Sequence, residues 1–425
     1  MATTMRRAVI TGLGVISPIG SDLASFQQSL RERRSGIRRI SHMDVSELPC
    51  QIAADIPNFD AKKYIIEKTQ RKSLKMMART VQIGVSVVEQ LVQTWGIRQA
   101  NIDPARIGVE FGSAMIHTEL EDIGHAAKVS TNCQPGFVDM AIWGKTGMKE
   151  IPPLWMLKYL PNMPACHATI NHQFRGPSNT ITSGDVSSLL ALGEAWRILN
   201  RDEAEAMMVG GCESKLNPLN FVRQSLFQPL SRCNQTPEQS VKPFDKRRDG
   251  TVLAEAGVAF GLETLESAQK RQAKIYAELV GFASGFDRSK SGIIVQKTIA
   301  RALAMAAIKP DQVDHINAHG LGTADGDRWE AHAIAGIFGR AVPVVALKGY
   351  FGAAGPAGSL LELLASLLAF QTGVLPSTLN HEVPDADCPI SVLTETSMPV
   401  QKSYVVKLSF TEMGHVAVAI LKKWE

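Results

Sequence analysis

Two histidines stand four residues apart in the stretch His315-Ile-Asn-Ala-His319. On a helix that interval brings two imidazoles to one zinc ion. Here residues 313–318 read as a strand running into Gly320, where positions four apart share a face but lie about 13 Å from each other. A metal site is therefore not expected. His319, at a strand end before a glycine turn, is placed for proton or hydrogen-bond work. Lys348 closes the apolar run 342–347 and precedes Gly349. Taken alone it reads as a surface lysine at a strand terminus, because buried lysines are rare. Lys242-Pro-Phe-Asp-Lys-Arg-Arg-Asp-Gly250 is a charged turn, either solvated or an ion-pair cluster that positions a strand. Cys50, Cys133, Cys166, Cys212, Cys233 and Cys388 form no C-x-x-C pair and read as free thiols, mostly packed. Gly12-Leu-Gly14 follows a strand, but Ser17 stands where a dinucleotide fingerprint needs its third glycine, so no nucleotide cofactor is expected.

Such groups need a scaffold. Strand and helix signals alternate along the chain, which predicts an α/β fold with largely parallel sheets. Residues 8–10, 206–209, 275–280 and 342–347 have strand character, and the glycines and proline after residue 10 read as a turn. Ser188-Leu-Leu-Ala-Leu opens an apolar helix, with Leu189, Leu192, Trp196 and Leu199 at helical spacing. Ser359-Leu-Leu-Glu-Leu opens a second, and each follows a loop of small residues. A duplicated α/β half explains this pair, and so, equally well, does chance likeness between two apolar helices.

The composition excludes several classes. The 425 residues carry 45 Lys+Arg against 41 Asp+Glu, a net +4, so no nucleic-acid partner is expected. No apolar run reaches the roughly 18 residues of a membrane span. Arg6-Arg7 and the apolar stretch behind it read as a strand rather than a signal peptide, which points to the cytoplasm.

In their order along the chain, these pieces resemble the β-ketoacyl-acyl-carrier-protein synthases, condensing enzymes of the thiolase-like superfamily. The residues that carry the likeness are Arg7-Ala-Val-Ile-Thr-Gly-Leu-Gly at the start, Ser35-Gly36-Ile37, Gly176-Pro177-Ser178, Lys242 to Gly250, Asn317-Ala-His-Gly320, then Gly326-Asp327 and Glu330. The resemblance spans essentially the whole chain. It implies a duplicated αβαβα five-layer architecture, with halves at residues 1–253 and 254–425, and no cofactor or metal. In that family a cysteine takes the acyl group from a carrier-protein thioester. Two histidines then promote decarboxylation of malonyl thioester, and a lysine supports the site.

This sequence departs from the pattern. The nucleophile position falls on Asp185 and the second histidine on Ala353, while His319 and Lys348 are kept. Of the pantetheine-contacting threonines Thr323 remains and one is lost at Leu321. Phe410 stays in the C-terminal gating loop, where another phenylalanine has become Glu412. At a helix N-terminus Asp185 is expected to cap the helix through the N–H of Ser187 or Ser188, and to pair with His319 and Lys348. Loss of an oxyanion donor at Ala353 costs about 10²–10³ in rate. The resemblance therefore points to a homologue without normal condensing activity, similar to the chain length factors of polyketide systems. Such a partner subunit binds acyl-carrier protein or an acyl thioester, as a homodimer or as a heterodimer with an active ketosynthase. Two alternatives stay open. One is an acyl-transferring, condensing or thioester-hydrolysing enzyme using His319 with water, Ser183 or Ser187. The other is an acyl-binding or scaffolding homodimer. The basic residues Lys62, Lys63, Lys68, Arg71, Lys72 and Lys75 lie where the family docks its acidic carrier. The aromatic and Met-rich residues 140–165 lie where it builds its dimer interface and acyl tunnel.

Overall fold

The computed structural model describes residues 6–132 and 136–425, so Cys133 lies outside the described residues. The other five cysteines are free thiols. Eleven strands form one sheet: β1 (Ala8–Ile16), β2 (Ile107–Gly112), β3 (Ser178–Ile181), β4 (Ala206–Ser214), β5 (Glu255–Thr264), β6 (Ala277–Phe286), β7 (Val313–Asn317), β8 (Pro343–Val345), β9 (Ser391–Val392), β10 (Tyr404–Phe410) and β11 (His415–Lys423). Their order across the sheet is β9-β8-β7-β10-β11-β6-β1-β5-β4-β2-β3.

That order resolves the duplication which the two apolar helices left open. From its edge inward the first half runs β3-β2-β4-β5-β1, and the second runs β8-β7-β10-β11-β6 with β9 added outside. Chain order and direction repeat as well. β2 lies parallel to β3 and β4, as β7 lies parallel to β8 and β10. The inner strands β5 and β1, like β11 and β6, run antiparallel to their neighbours. The sheet is thus less parallel than the alternation of elements implies, because inner neighbours such as β10 and β11 are joined by a tight turn rather than a crossover helix. The halves meet where Ala8, Val9 and Ile10 of β1 face Leu279, Glu278 and Ala277 of β6. Because β5 lies between β1 and β4, we place the divide between the halves after it, in residues 265–276, rather than at residue 253.

Five layers follow. Helices α1 (Arg79–Trp95) and α2 (Met163–His172) cover one outer face with Val87, Leu91, Trp95 and Ala168. Helices α3 (Ser187–Asn200) and α6 (Gly358–Thr372) fill the middle, α6 being buried from Gly358 to Phe370. Helices α4 (Ile293–Met305) and α5 (Ala324–Phe338) cover the other face with Ile299, Trp329 and Ile334. A layer with sheet on both sides can expose no polar face, which is why α6 reads Leu-Leu-Glu-Leu-Leu rather than as an amphipathic stripe. No helix among the described residues is long and apolar enough to cross a membrane.

β1 also corrects the expected turn after residue 10, since it continues through Gly12 and Gly14. A Cβ at Gly12 would stand 2.8 Å from Leu91 and Trp95. The glycines there admit α1 against the strand rather than bending it.

Glu110 on β2 is buried with one carboxylate oxygen unpartnered, and its pKa is pushed up to about 7, first by burial and then by the charge of Glu194. The unfolded chain releases this proton near the ordinary carboxyl range. The folded chain holds it to about 7, so this contribution to stability is full below that range and is lost as pH rises toward 7. Glu110→Gln is expected to match the parent in urea unfolding at pH 5 and to exceed it by about 2 kcal/mol at pH 8.

Candidate active site

Five chain segments converge at one end of the sheet, where α3 and α6 begin. β7 ends by delivering Asn317 and then His319. The loop behind β3 tightens into a 3₁₀ turn, Gly184–Val186, that carries Asp185. Gly184 takes φ +61°, a left-handed conformation that glycine adopts at little cost. The helical turn Lys348–Phe351 after β8 delivers Lys348, α6 delivers Glu362, and β10 delivers Lys407, Ser409 and Phe410.

His319 is buried, and the network fixes its tautomer. The Lys348 ammonium donates to His319 Nδ1 at 3.1 Å, so Nε2 carries the ring proton. Burial, then the charges of Lys348 and Lys407, hold its pKa well below the ordinary histidine range. The ring is therefore a neutral N–H donor, and its Nε2 lies 3.8 Å from Asp185 Oδ2, beyond hydrogen-bond reach. The backbone around it is clamped by Glu330, whose oxygens accept the N–H groups of His319 (2.7 Å) and Gly320 (2.8 Å). Burial pushes the Glu330 carboxyl up to about 7.

Two expectations about neighbouring groups are corrected here. Lys348 is not a surface residue. Its side chain is 2 % exposed and forms an ion pair with the buried Glu362, which also pairs with buried Lys407. Two cations are stabilised in the core because one carboxylate bridges them, and Lys407 gives further hydrogen bonds to Asn317 Oδ1 (3.0 Å) and Ala318 O (3.1 Å). Asp185 does not cap α3, nor does it meet Lys348. The Ser187 hydroxyl does the local work, accepting the Ser183 N–H at 2.8 Å and donating to Gly184 O at 2.6 Å. The Asp185 carboxylate is left free to face His319. Its backbone carbonyl is pinned by the hydroxyls of Ser359 (2.6 Å) and Ser409 (3.3 Å).

A cavity of about 800 Å³ opens onto this cluster, lined by His319, Leu321, Thr323, Trp329, Phe410 and Glu412. The Phe410 ring sits 4.6 Å from both the His319 imidazole and the Trp329 ring. Both expected substrate-contacting residues, Thr323 and Phe410, thus face the cavity. Ala353 is buried nearby, tied by its N–H to Val252 O at 2.8 Å, and presents only a methyl group.

His315 bonds to Asp314 and Ser366, and the Ser366 hydroxyl, which also accepts from Asn317, links it to the cluster around His319. The charged turn proves to be an ion-pair cluster: Arg248 joins Asp385, Arg247 joins Asp245, and Asp245 accepts the N–H groups of Glu382 and Val383. Glu362 and Lys407 were not singled out from the sequence. Each had a signal, a lone charge inside an otherwise apolar buried run.

Family models agree with this geometry. The N-terminal domain of β-ketoacyl synthase matches residues 5–268 and its C-terminal domain residues 276–382. The chain belongs to the β-ketoacyl synthase family. Among curated relatives, 3-oxoacyl-[acyl-carrier-protein] synthase 2 of Vibrio harveyi is 31% identical over 429 residues, covering 98% of this chain and 99% of that one. The protein of the same name from Coxiella burnetii is 30% identical with the same coverage. Among solved structures, the ishigamide ketosynthase/chain length factor superposes with a TM-score of 0.87 at 25% identity, covering 99% of this chain and all of that one. A β-ketoacyl synthase from Burkholderia phymatum gives 0.86 at 24%, again covering 99% and 100%. This ketosynthase-family chain is thus related to proteins of fatty-acid and polyketide synthesis, and its thiolase-like fold is duplicated as the strand order shows.

Proposed function

We propose that this chain is a ketosynthase homologue that does not condense, and that it serves as a chain-length-factor-like partner of an active ketosynthase. The observation that carries the reading is Asp185, a carboxylate at the foot of α3 facing the neutral N–H of His319. A carboxylate attacking a thioester would give a mixed anhydride, higher in energy than the thioester itself. Ala353 removes a second donor for a developing oxyanion, and loss of one such donor costs about 10²–10³ in rate. The likeness to a ketosynthase/chain length factor supports the role.

Two surfaces support partners. Lys62, Lys63, Lys68, Arg71, Lys72 and Lys75 are all exposed, with Ile66 exposed among them, a face suited to an acidic acyl-carrier protein. β3 ends the sheet, and exposed Phe137, Met140, Met148, Leu154 and Ile170 lie in the neighbouring segments, a combination suited to a second ketosynthase-fold subunit.

Intact-mass spectrometry after incubation with acyl- and malonyl-carrier protein is expected to show no adduct and no consumed thioester. Co-expression with a cysteine-bearing ketosynthase is expected to give a one-to-one complex. A stable acyl adduct or turnover by the chain alone would overturn the reading in favour of an enzyme, and a homodimer that ignores the ketosynthase would leave a scaffold.

A further inference from the structure

We propose that Glu412, acting with Asp185, makes the cavity selective for neutral acyl thioesters and closes it to carboxyacyl thioesters such as malonyl. This rests on reading the cavity as a thioester site.

Glu412 sits on the turn that joins β10 to β11. Both ends of that turn are anchored. Thr411 N–H donates to His415 O at 2.9 Å, Gly414 N–H to Thr411 O at 2.9 Å, and Asp287 N–H to Gly414 O at 2.7 Å. Only Glu412 and Met413 lie between the anchors, and Glu412 lines the cavity beside His319, Leu321 and Phe410. The group best placed to receive a thioester carbonyl, the Nε2–H of His319, therefore has the Asp185 carboxylate at 3.8 Å and shares its cavity with a second carboxylate, Glu412.

Two cations line the cavity, Lys290 and Arg328, and the others are set back from it. Lys348 and Lys407 lie behind His319 and are spent on Glu362. Arg328 pairs with Asp325 at 2.7 Å. Lys290 lines the cavity, and Lys215 lies beside Gly355. Glu412 itself reports the field at that point. Its carboxyl is held above the usual range by burial first and by the negative charge of Asp185 second, with Lys290 and Lys215 opposing. A substrate carboxylate entering the same space meets the same repulsion plus that of Glu412. Like charges brought together in a partly desolvated site cost several kcal/mol. A neutral acyl chain meets none of it, and Leu321, Trp329 and Phe410 offer it an apolar wall.

The test compares two probes of equal size, malonyl-pantetheine and its neutral isostere acetoacetyl-pantetheine, by calorimetric titration of the full chain at pH 7.5. Acetoacetyl-pantetheine is expected to bind at least tenfold more tightly. Glu412→Gln is expected to narrow that ratio about tenfold, and Asp185→Asn to narrow it further. Equal binding of the two probes by the parent, or a ratio that neither substitution moves, overturns the proposal. Failure of both probes to bind overturns instead the thioester reading on which it rests.

Discussion

Asp185→Cys is expected to take up one acyl group from an acyl-carrier protein where the parent takes none, a gain read directly as a mass increment of one acyl chain. The argument is positional. Residue 185 lies at the foot of α3, where the helix dipole favours a negative charge and lowers a thiol's pKa. Its backbone is already held by Ser359 and Ser409, so a shorter side chain inherits a fixed origin. The proton-bearing nitrogen of His319 lies 3.8 Å from the carboxylate it replaces, close enough to stabilise a thiolate or the oxyanion formed by its attack. The parent fails for a thermodynamic reason, because its acyl product is an anhydride, whereas cysteine exchanges one thioester for another. Failure of a folded Asp185→Cys protein to acylate would mean that residue 185 does not occupy the reacting position.

Acylation is only half of condensation. Decarboxylation of a malonyl group needs its enolate oxygen stabilised, and His319 alone supplies a ring N–H there. Adding Ala353→His to Asp185→Cys is expected to raise condensation about 10²–10³-fold over the single variant. Ala353 is buried, so the imidazole will cost about 1–3 kcal/mol in crowding, which a thermal unfolding midpoint will register.

Much of this was legible in the sequence, and the exceptions share a physical cause. The α/β alternation and the strand running into His319 were visible because strands and loops announce themselves locally. The duplication was ambiguous because two apolar helices carry no topology, and only the repeated strand order settles it. β1 was read too short because glycine signals a turn in sequence. In the fold it signals the approach of Trp95 and Leu91. Lys348 was read as exposed because a lysine's burial depends on a partner elsewhere in the chain. That partner, Glu362, is a single charge in a leucine-rich helix, and Lys407 a single charge in a buried strand, so neither stands out in the local pattern. Propensity favours Asp185 as a helix cap, but neither it nor Ser187 caps α3, since the Ser187 hydroxyl takes the N–H of Ser183 instead.

Glu362 is expected to carry a large stability effect. Glu362 is fully buried between two buried ammonium groups, and its removal strands both. Breaking one buried pair by deleting a partner costs about 3–5 kcal/mol, so Glu362→Ala is expected to lose at least that in urea unfolding. Glu362→Gln keeps shape and a hydrogen-bond acceptor but not charge, and should fall between. Lys407→Met leaves one cation for one carboxylate and should cost least of the three. The same network links stability to the site. Lys348 donates to His319 Nδ1 and is anchored in turn by Glu362, and that contact fixes His319 as the Nε2–H tautomer. In Glu362→Gln, ¹⁵N spectra of His319 are therefore expected to show the Nδ1–H tautomer gaining population. A retained Nε2–H signal would mean that Lys348 still donates to His319 Nδ1 without Glu362 to anchor it.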